Sequence, residues 1–452
     1  MISLIGKVAG LFRNKYMLSL LSNGSNALIG LLTMMLLLRS LSLHDMGEYG
    51  FFLTVLLFFD TFRSGFLSTA FINFYAGASD VKKDETAGSA WVIACCITVL
   101  FLLCNGVAYF FIDRVQDSSI RLFLKYFGII FTLSLPFFMA NCVLQAKQLF
   151  GKLLILNLTN QGSLLIFIIT LTLIDNLDVT KVIYCYMAAN LLSSIVAIVC
   201  DWSLLGKLGS STLATIRELF NFGKYSVGTS ITSTLMTLSS TLIVKFFLGV
   251  APLAIYYAGS KLIQIVELPL RSVAFAAMPG MSETYNRGDQ SGVIKMMQKY
   301  IGVFSLLLVP LCLVVIVFAD YAILLLAGEK YVDTEAPQIL RIYMLITLLY
   351  PAERFLALTI DVFRMPKINF IKVVIMVVVG VLCSFVAVYL SGSIYAITLS
   401  SAISTLIGLV IGLGALNKYF QYIHFWNIFR LGYAEIMSKT KVTWQKWFAP
   451  NS

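Results

Sequence analysis

Charged residues are scarce in this chain, at 12% of 452 residues, whereas apolar residues make up 59%. Soluble globular domains contain about 25% charged residues and about 45–50% apolar residues, so the composition excludes an ordinary soluble protein. Apolar runs of about 18 residues or more recur along the chain, and each is long enough to cross a bilayer as a helix. The length has room for about twelve such helices. The sequence therefore predicts an all-α polytopic membrane protein.

Residues that usually carry catalysis or hold metals are also few. Neither of the two histidines, His44 and His424, has a partner at ligand spacing. The eight cysteines fall inside apolar runs and form no C-x-x-C motif, which predicts small core residues without a disulfide framework or metal site. Phosphate-binding and catalytic motifs are absent, and the loops are too short for a soluble catalytic domain. We therefore expect no enzyme, no catalytic residues, no metal and no cofactor.

The net charge of +11 would suggest a nucleic-acid partner in a soluble protein. Here the basic residues concentrate on alternate loops and at both ends of the chain. That distribution is the one described by the positive-inside rule, so we expect no nucleic acid and place both termini in the cytoplasm. The first apolar run is too long for a signal peptide and lacks a small-residue cleavage site, so it should remain as a helix.

The apolar pattern places twelve approximate spans at 16–38, 50–75, 89–112, 122–144, 153–174, 182–202, 225–248, 252–278, 300–319, 338–360, 369–390 and 394–416. We expect residues 1–202 to form an N-terminal six-helix bundle that begins with an interfacial segment. Residues 203–224 are predicted to be a cytoplasmic amphipathic connector. Residues 225–416 should form the second bundle, and 417–452 a basic, aromatic tail at the membrane surface.

The two predicted bundles share a pattern of polar residues. Tyr49 and Tyr256 are separated by the same number of residues as Asp60 and Glu267. A nearly equal spacing separates Lys15 from Lys224. These matches predict two pseudo-symmetric halves, and such repeats usually flank a transport site.

In the first half, Asp60 and Arg63 lie one helical turn apart inside an apolar run. Charges within a membrane are costly and usually face a polar cavity or a partner. Two alternatives stay open: an ion pair that only holds helices together, or a pair that lines a cavity. Asn23 and Asn26 on the first span are further candidates, either for helix packing or for a hydrated face.

In the second half, Glu267 and Arg271 are four residues apart and so share one helix face. Lys261 should point about 80° away from Arg271 on a continuous helix, close enough to serve the same cavity. Glu267 could instead only neutralise Arg271. Lys245 is near the outer end of its span and can extend to the interface, and Arg354 on the tenth span is a further cavity candidate.

Four stretches of the chain resemble the polysaccharide-biosynthesis family of lipid-linked oligosaccharide flippases (Wzx-type). This family belongs to the multidrug/oligosaccharidyl-lipid/polysaccharide superfamily. The stretches are LLRSLSLHDMGEYGFF at 37–52, IRELFNFGK at 216–224, FLG, IYYA and MPGMSE between 247 and 283, and ILLLAGEKY at 323–331. Each is degenerate alone, but their order and spacing are specific and span nearly the whole chain. The chain departs from the family at Ser240, where relatives often have an acidic residue.

The resemblance implies two six-helix bundles around a central V-shaped cavity. In the family the first, second, seventh and eighth helices line this cavity, which is where Asp60, Arg63, Lys261 and Arg271 occur. It also implies a flippase that moves an undecaprenyl-pyrophosphate-linked oligosaccharide, such as an O-antigen or related surface-polysaccharide unit, from the inner to the outer leaflet by alternating access. A cation-coupled multidrug exporter of the same superfamily is the alternative. Its site should be rich in carboxylates, whereas cations here match or outnumber acids.

The resemblance also bears on partners and location. It implies a bacterial cytoplasmic (inner) membrane protein whose partners are the lipid-linked oligosaccharide, membrane lipids and other membrane proteins of polysaccharide assembly. The energy source stays open between a proton gradient, a sodium gradient and the membrane potential.

Overall fold

The structure is a computed structural model that describes residues 15–174, 177–416, 428–435 and 437. Across these ranges it consists of helices and connecting turns and has no β-strand. The predicted all-α membrane fold is confirmed. The predicted interfacial segment 1–13 and most of the predicted tail lie outside the described residues.

The first group of helices reaches residue 199 and contains one π-helical segment, Leu158–Gly162. The helices are α1 (Lys15–Ser40), α2 (Leu43–Tyr75), α3 (Asp80–Tyr109), α4 (Ser118–Leu133), α5 (Leu135–Ala146), α6 (Phe150–Asn157), α7 (Ser163–Ile174) and α8 (Val179–Val199). Short 3-10 turns follow α3 and α8, at Ile112–Arg114 and Leu205–Ser210.

The second group begins at residue 213 and includes a π-helical segment, Val244–Leu248. The helices are α9 (Leu213–Ile243), α10 (Val250–Lys261), α11 (Ile263–Asn286), α12 (Gln290–Val317), α13 (Ala319–Ala327), α14 (Ala336–Thr347), α15 (Tyr350–Val362), α16 (Pro366–Ser391) and α17 (Tyr395–Ala415). A 3-10 turn, Glu329–Tyr331, follows α13.

The described residues include eight helices that are long and apolar enough to cross a membrane, or ten if two bent pairs each count as one span. The bends are 42° between α4 and α5 and 41° within α9, between Thr232 and Thr234. The predicted first and tenth spans fall on the shorter apolar helix Gly24–Ser40 and on the broken pair α14–α15. The count of twelve therefore stays a prediction.

Several helices begin before the apolar run that predicted them, because polar residues form their first turns. The span predicted to start at residue 50 starts at Leu43, where the Ser42 hydroxyl accepts a hydrogen bond from the Asp45 amide at 3.0 Å. Likewise Asp289 caps α12 by accepting from the Gly292 amide at 2.8 Å. Side-chain caps of this kind satisfy the free amides at a helix start, so hydropathy alone underestimates helix length.

The chain divides into two compact units, Met1–Thr241 and Leu242–Ser452. The division falls inside the predicted seventh span and not at the predicted connector 203–224. The reason is that the connector's second half forms the first turns of α9, where Leu219 is fully buried in the first unit's core. Farther along α9, the Thr234 and Thr61 hydroxyls are 3.2 Å apart. The division into two six-helix bundles itself stays a prediction.

Each unit has its own apolar core. In the first unit, Phe71, Trp91 and Met139 belong to one buried cluster formed by α2, α3 and α5. In the second, Met297 and Phe355 are buried in a cluster that joins α11, α12 and α15. These cores hold the polar residues of each unit in fixed positions.

Glycine permits one especially close helix contact in the second unit. A Cβ atom at Gly259 of α10 would lie 2.7 Å from Ile339 Cγ2 and 2.9 Å from the Ala336 carbonyl oxygen on α14. Small residues of this kind let membrane helices approach closely. A larger side chain at this position would therefore separate α10 from α14.

All eight cysteines lie in the described ranges, and all are free thiols. The prediction that they are core residues is wrong for three of them, Cys96, Cys104 and Cys200, which are exposed. A cysteine is a small apolar residue, and an apolar residue is tolerated on the outer surface of a membrane helix because lipid tails are equally apolar.

Candidate functional site

The first unit contains a cavity of about 380 Å³ whose wall combines polar and apolar side chains. Helices α1, α2, α4, α5, α6 and α8 contribute to it, together with the π segment 158–162. Three of the predicted site residues, Asn26, Asp60 and Arg63, lie on this wall. The Asn23 side chain lies outside the described residues.

Asp60 and Arg63 form an ion pair on the cavity wall. The Arg63 Nη2 atom donates to Asp60 Oδ1 at 2.5 Å. The Arg63 side chain is 2% exposed, whereas that of Asp60 is 34% exposed. The two residues therefore form an intrahelical ion pair that also lines a cavity, and their role in transport stays a prediction.

The remaining contacts of Arg63 explain how a guanidinium is accommodated at this depth. It donates to the Phe131 carbonyl at 3.1 Å and to the Ser134 hydroxyl at 2.9 Å. Its guanidinium carbon lies 4.4 Å from the centre of the Phe131 ring and 4.8 Å from that of Phe138. Hydrogen bonds and cation–π contacts replace part of its hydration, so Arg63 ties α2 to the α4–α5 junction.

Seven amide side chains share the wall with this ion pair. They are Asn26, Asn141, Gln145, Asn157, Asn160, Gln161 and Asn190. Asn160 donates to the Ser193 hydroxyl at 3.0 Å, and Asn190 donates to the Tyr186 carbonyl at 2.8 Å. Only Asn26 among them was predicted from the sequence.

A signal for the missed amides was present in the sequence. Asn157, Asn160 and Gln161 interrupt an otherwise apolar run, and buried polar side chains in a membrane helix need partners. The structure adds that Asn160 and Gln161 lie on a π-helical turn, a feature frequently found at functional sites. Sequence spacing alone does not show that these residues face Asp60 and Arg63, which come from a distant part of the chain.

In the second unit the predicted residues are less concentrated. Arg271 Nη2 and Glu267 Oε2 pair at 3.0 Å, but the Arg271 side chain is 63% exposed. Lys261 is half-buried, with its ammonium 5.3 Å from the centre of the Tyr257 ring. No hydrogen bond or ion pair joins Lys261 to Glu267 or Arg271 in the described chain.

The angle predicted between Lys261 and Arg271 assumed one continuous helix and stays a prediction. The structure breaks the helix at Leu262, where α10 ends and α11 begins. Pro269 lies inside α11, and a proline removes one backbone hydrogen bond and crowds the preceding turn. The two cations are therefore on separate helical segments, and their shared role stays a prediction.

The last two predicted site residues, Lys245 and Arg354, lie far apart in the sequence of the second unit. Lys245 is 4% exposed, with its ammonium 5.0 Å from the centre of the Phe246 ring; the expected extension to the interface is therefore wrong. Arg354 is half-buried on α15. Its neighbour Glu353 pairs with Lys372 at 2.7 Å, and the Lys372 side chain is 1% exposed. This buried pair was not predicted from the sequence, because Lys372 lies close to a basic loop.

The structure also corrects the statement that His44 has no partner at ligand spacing. Ligand atoms of His44, Asp45 and Glu48 lie within 4.8 Å of one another in the first turns of α2. However, the Asp45 carboxylate accepts from the Ser42 hydroxyl at 2.7 Å, and Glu48 accepts from the Ser118 hydroxyl. These carboxylates already have structural partners, and the positive end of the helix dipole disfavours a cation. His424 lies outside the described residues.

Comparison with known families identifies the kind of protein to which this architecture belongs. Residues 12–285 match the family described as "Polysaccharide biosynthesis protein". The chain belongs to this family. Residues 226–390 also match the MatE family. A search of curated proteins found no match.

Solved structures show the same fold as this family member. The lipid II flippase MurJ in an inward closed conformation matches with a TM-score of 0.72 and 14% identity, over 93% of this chain and 91% of that chain. An inward-facing multidrug resistance MATE family transporter of the MOP superfamily also gives 0.72, with 11% identity over 88% and 95%. An outward-facing transporter of that family gives 0.62, with 11% identity over 91% and 96%. The chain is therefore a multi-pass membrane protein with the fold of these transporters.

Proposed function

We propose that this protein is a flippase for a lipid-linked oligosaccharide of surface-polysaccharide assembly. It moves an undecaprenyl-pyrophosphate-linked repeat unit, such as an O-antigen unit, from the inner to the outer leaflet by alternating access. The observation that carries the proposal is the polar cavity around Asp60 and Arg63. Membership of the polysaccharide biosynthesis family and the likeness to a lipid II flippase support it.

The chemistry of such a substrate agrees with these features. A glycan needs hydrogen-bonding groups when it leaves water, because buried polar groups without partners are costly. The pyrophosphate needs cations, for which Arg271 and Lys261 are candidates, and the lipid tail can stay in the bilayer. An inside-negative potential favours outward movement of an anion by about 2.3 kcal/mol per charge per 100 mV, so the membrane potential alone could drive transport.

A cation-coupled multidrug exporter is the alternative, and two observations favour it. Residues 226–390 match the MatE family, and MATE transporters share the fold. Against it, the carboxylate of the first unit's cavity is bound by a guanidinium 2.5 Å away. An organic cation would have to displace Arg63 or lie close to its like charge, and both cost free energy.

Reconstitution of the full-length protein into liposomes tests these two functions against each other. A fluorescent polyprenyl-pyrophosphate oligosaccharide is placed in both leaflets, and a membrane-impermeant quencher reports the inner-leaflet fraction over time. We expect the protein to speed exchange between leaflets and to leave ethidium efflux unchanged in the presence of a proton or sodium gradient. Gradient-driven ethidium efflux without lipid exchange would overturn the proposal in favour of the exporter.

We further propose that the protein lies in the bacterial cytoplasmic membrane with both termini in the cytoplasm. Cysteine-accessibility labelling should then report Gln116 and Asp333 on the outer face, and Lys83 and Arg287 on the inner face. The reverse pattern would contradict the charge distribution from which the orientation is inferred. Asp175, a third position on the outer face, lies outside the described residues. Other membrane proteins of polysaccharide assembly are the proposed partners.

A further inference from the structure

The cavity of the first unit carries balanced charge. Among the lining residues that the structure describes, only Asp60 and Arg63 bear a charge at neutral pH, and they are paired at 2.5 Å. An additional ion would bring an uncompensated charge into a region of low dielectric constant, which is costly. A neutral polar ligand avoids this cost, so charge balance favours a neutral occupant.

The hydrogen-bonding groups of the wall narrow the chemistry further. Each amide side chain offers both a carbonyl acceptor and amino donors. A cation could use only the acceptors of these amides, and an anion only their donors. A hydroxyl group both donates and accepts, so a polyhydroxylated ligand suits the wall best.

The apolar part and the size of the cavity point to the same class of ligand. Phe131, Phe137 and Phe138 lie among the amides on the wall, and such rings can pack against the C–H faces of a sugar. The volume of about 380 Å³ is near the lower end of the range for ligand sites, about 300–1,000 Å³. It would hold about a dozen waters at about 30 Å³ each, which suits one or two sugar rings and not a whole repeat unit.

We propose that this cavity binds a neutral sugar residue of the transported glycan and makes transport selective for a glycosylated carrier over bare lipid pyrophosphate. This inference rests on the proposed function. It assigns glycan recognition to the amides of the first unit, while the pyrophosphate is bound by cations outside this cavity.

Asn141 and Gln161 are the best positions for a test because their side chains contribute least to holding different helices together. Asn141 is half-buried and donates to the Phe137 carbonyl on its own helix at 3.0 Å, and Gln161 is also half-buried on the cavity wall. Asn105 is a matched control, since it is a half-buried amide of the same unit that does not line the cavity. The variants are Asn141→Leu, Gln161→Leu and Asn105→Leu.

The experiment compares two fluorescent probes in proteoliposomes. One is a polyprenyl pyrophosphate that carries N-acetylglucosamine, and the other is the same polyprenyl pyrophosphate without a sugar. We expect the wild type and Asn105→Leu to flip the glycosylated probe faster than the bare probe. Asn141→Leu and Gln161→Leu should flip the glycosylated probe about ten-fold more slowly, because a buried hydroxyl of the sugar loses the amide with which it forms a hydrogen bond. Their rate for the bare probe should not change.

Each failure has a distinct signature. If the wild type flips neither probe, the proposed function fails. Two results would overturn only the sugar site, provided that the wild type flips the glycosylated probe. In the first, the two cavity variants flip that probe as fast as the wild type. In the second, they lose the same fraction of their rate for both probes at an unchanged melting temperature. Saturable binding of radioactive sodium to the wild type that Asn141→Leu abolishes would also overturn it, since it would show that the cavity is a cation site. Melting temperatures of all variants exclude loss of folding as the cause.

Discussion

Replacement of Arg63 by alanine should cost far more stability than the same change at Arg271. Arg63→Ala removes hydrogen bonds to Asp60, Ser134 and the Phe131 carbonyl, as well as two cation–π contacts. Removing one partner of a buried ion pair costs about 3–5 kcal/mol. Because Asp60 is 34% exposed, water can solvate part of the carboxylate that is left. We therefore expect about 3 kcal/mol, at the lower end of that range.

Arg271→Ala is the matched control. Arg271 has one carboxylate partner, Glu267, at 3.0 Å, and its side chain is 63% exposed. Exposed ion pairs contribute about 0–1 kcal/mol, so this variant should reach normal abundance in the membrane. A loss of glycan export in Arg271→Ala at normal abundance would then report a role in transport rather than in folding. Full export would exclude such a role for Arg271.

The assay is thermal unfolding of the detergent-solubilised proteins, followed by the fraction that remains monodisperse. At about 2–4 °C per kcal/mol for a unit of this size, Arg63→Ala should melt at least about 6 °C below the wild type. The double variant Asp60→Asn/Arg63→Leu should recover part of this loss, because no unpaired charge is left. Equal melting temperatures for Arg63→Ala and Arg271→Ala would show that the Arg63 contacts do not stabilise the protein more than the exposed Arg271 pair does.

Three further predictions concern other parts of the chain. Lys372→Met should lower the melting temperature by leaving Glu353 without its 2.7 Å partner, and adding Glu353→Gln should restore most of it. Gly259→Val should prevent close packing against Ile339 and reduce the amount of folded protein in the membrane, whereas Gly259→Ala should do so less. Hydrogen bonds from the Gly292 amide and the Ser291 hydroxyl lower the pKa of Asp289. The ionised Asp289 carboxylate therefore stabilises the protein above the unfolded-state pKa of about 3.9. This stabilisation is lost as the pH falls through the lower pKa of the folded state. In a pH series of melting curves, Asp289→Ala should weaken this acid dependence.

The fold could be predicted from the sequence because apolar run length determines which segments can cross a membrane. Each of the twelve predicted spans falls on a described helix or on a pair of consecutive helices. The ends could not be predicted as well, since caps such as Ser42 and Asp289 extend helices beyond their apolar runs. The helix break at Leu262 was also missed, because hydropathy does not change there.

The candidate site was predicted only in part. Asp60 and Arg63 could be identified because a charge in an apolar run is rare and needs compensation. The amides Asn141, Asn160 and Asn190 could not be assigned to the same place, because only tertiary packing brings their helices together around one cavity. Lys372 was assigned to a basic loop because of its position in the sequence, whereas in the structure its side chain is buried and paired with Glu353.

A flippase that carries lipid-linked glycan from the inner to the outer leaflet should control where that glycan lies in growing cells. The most direct test is rapid depletion of the protein in growing cells, followed by extraction of undecaprenyl-pyrophosphate-linked sugars and measurement of the fraction in each leaflet. We expect one glycosylated carrier to accumulate in the inner leaflet while the corresponding surface polysaccharide falls. An unchanged leaflet distribution and normal surface polysaccharide after depletion would contradict it.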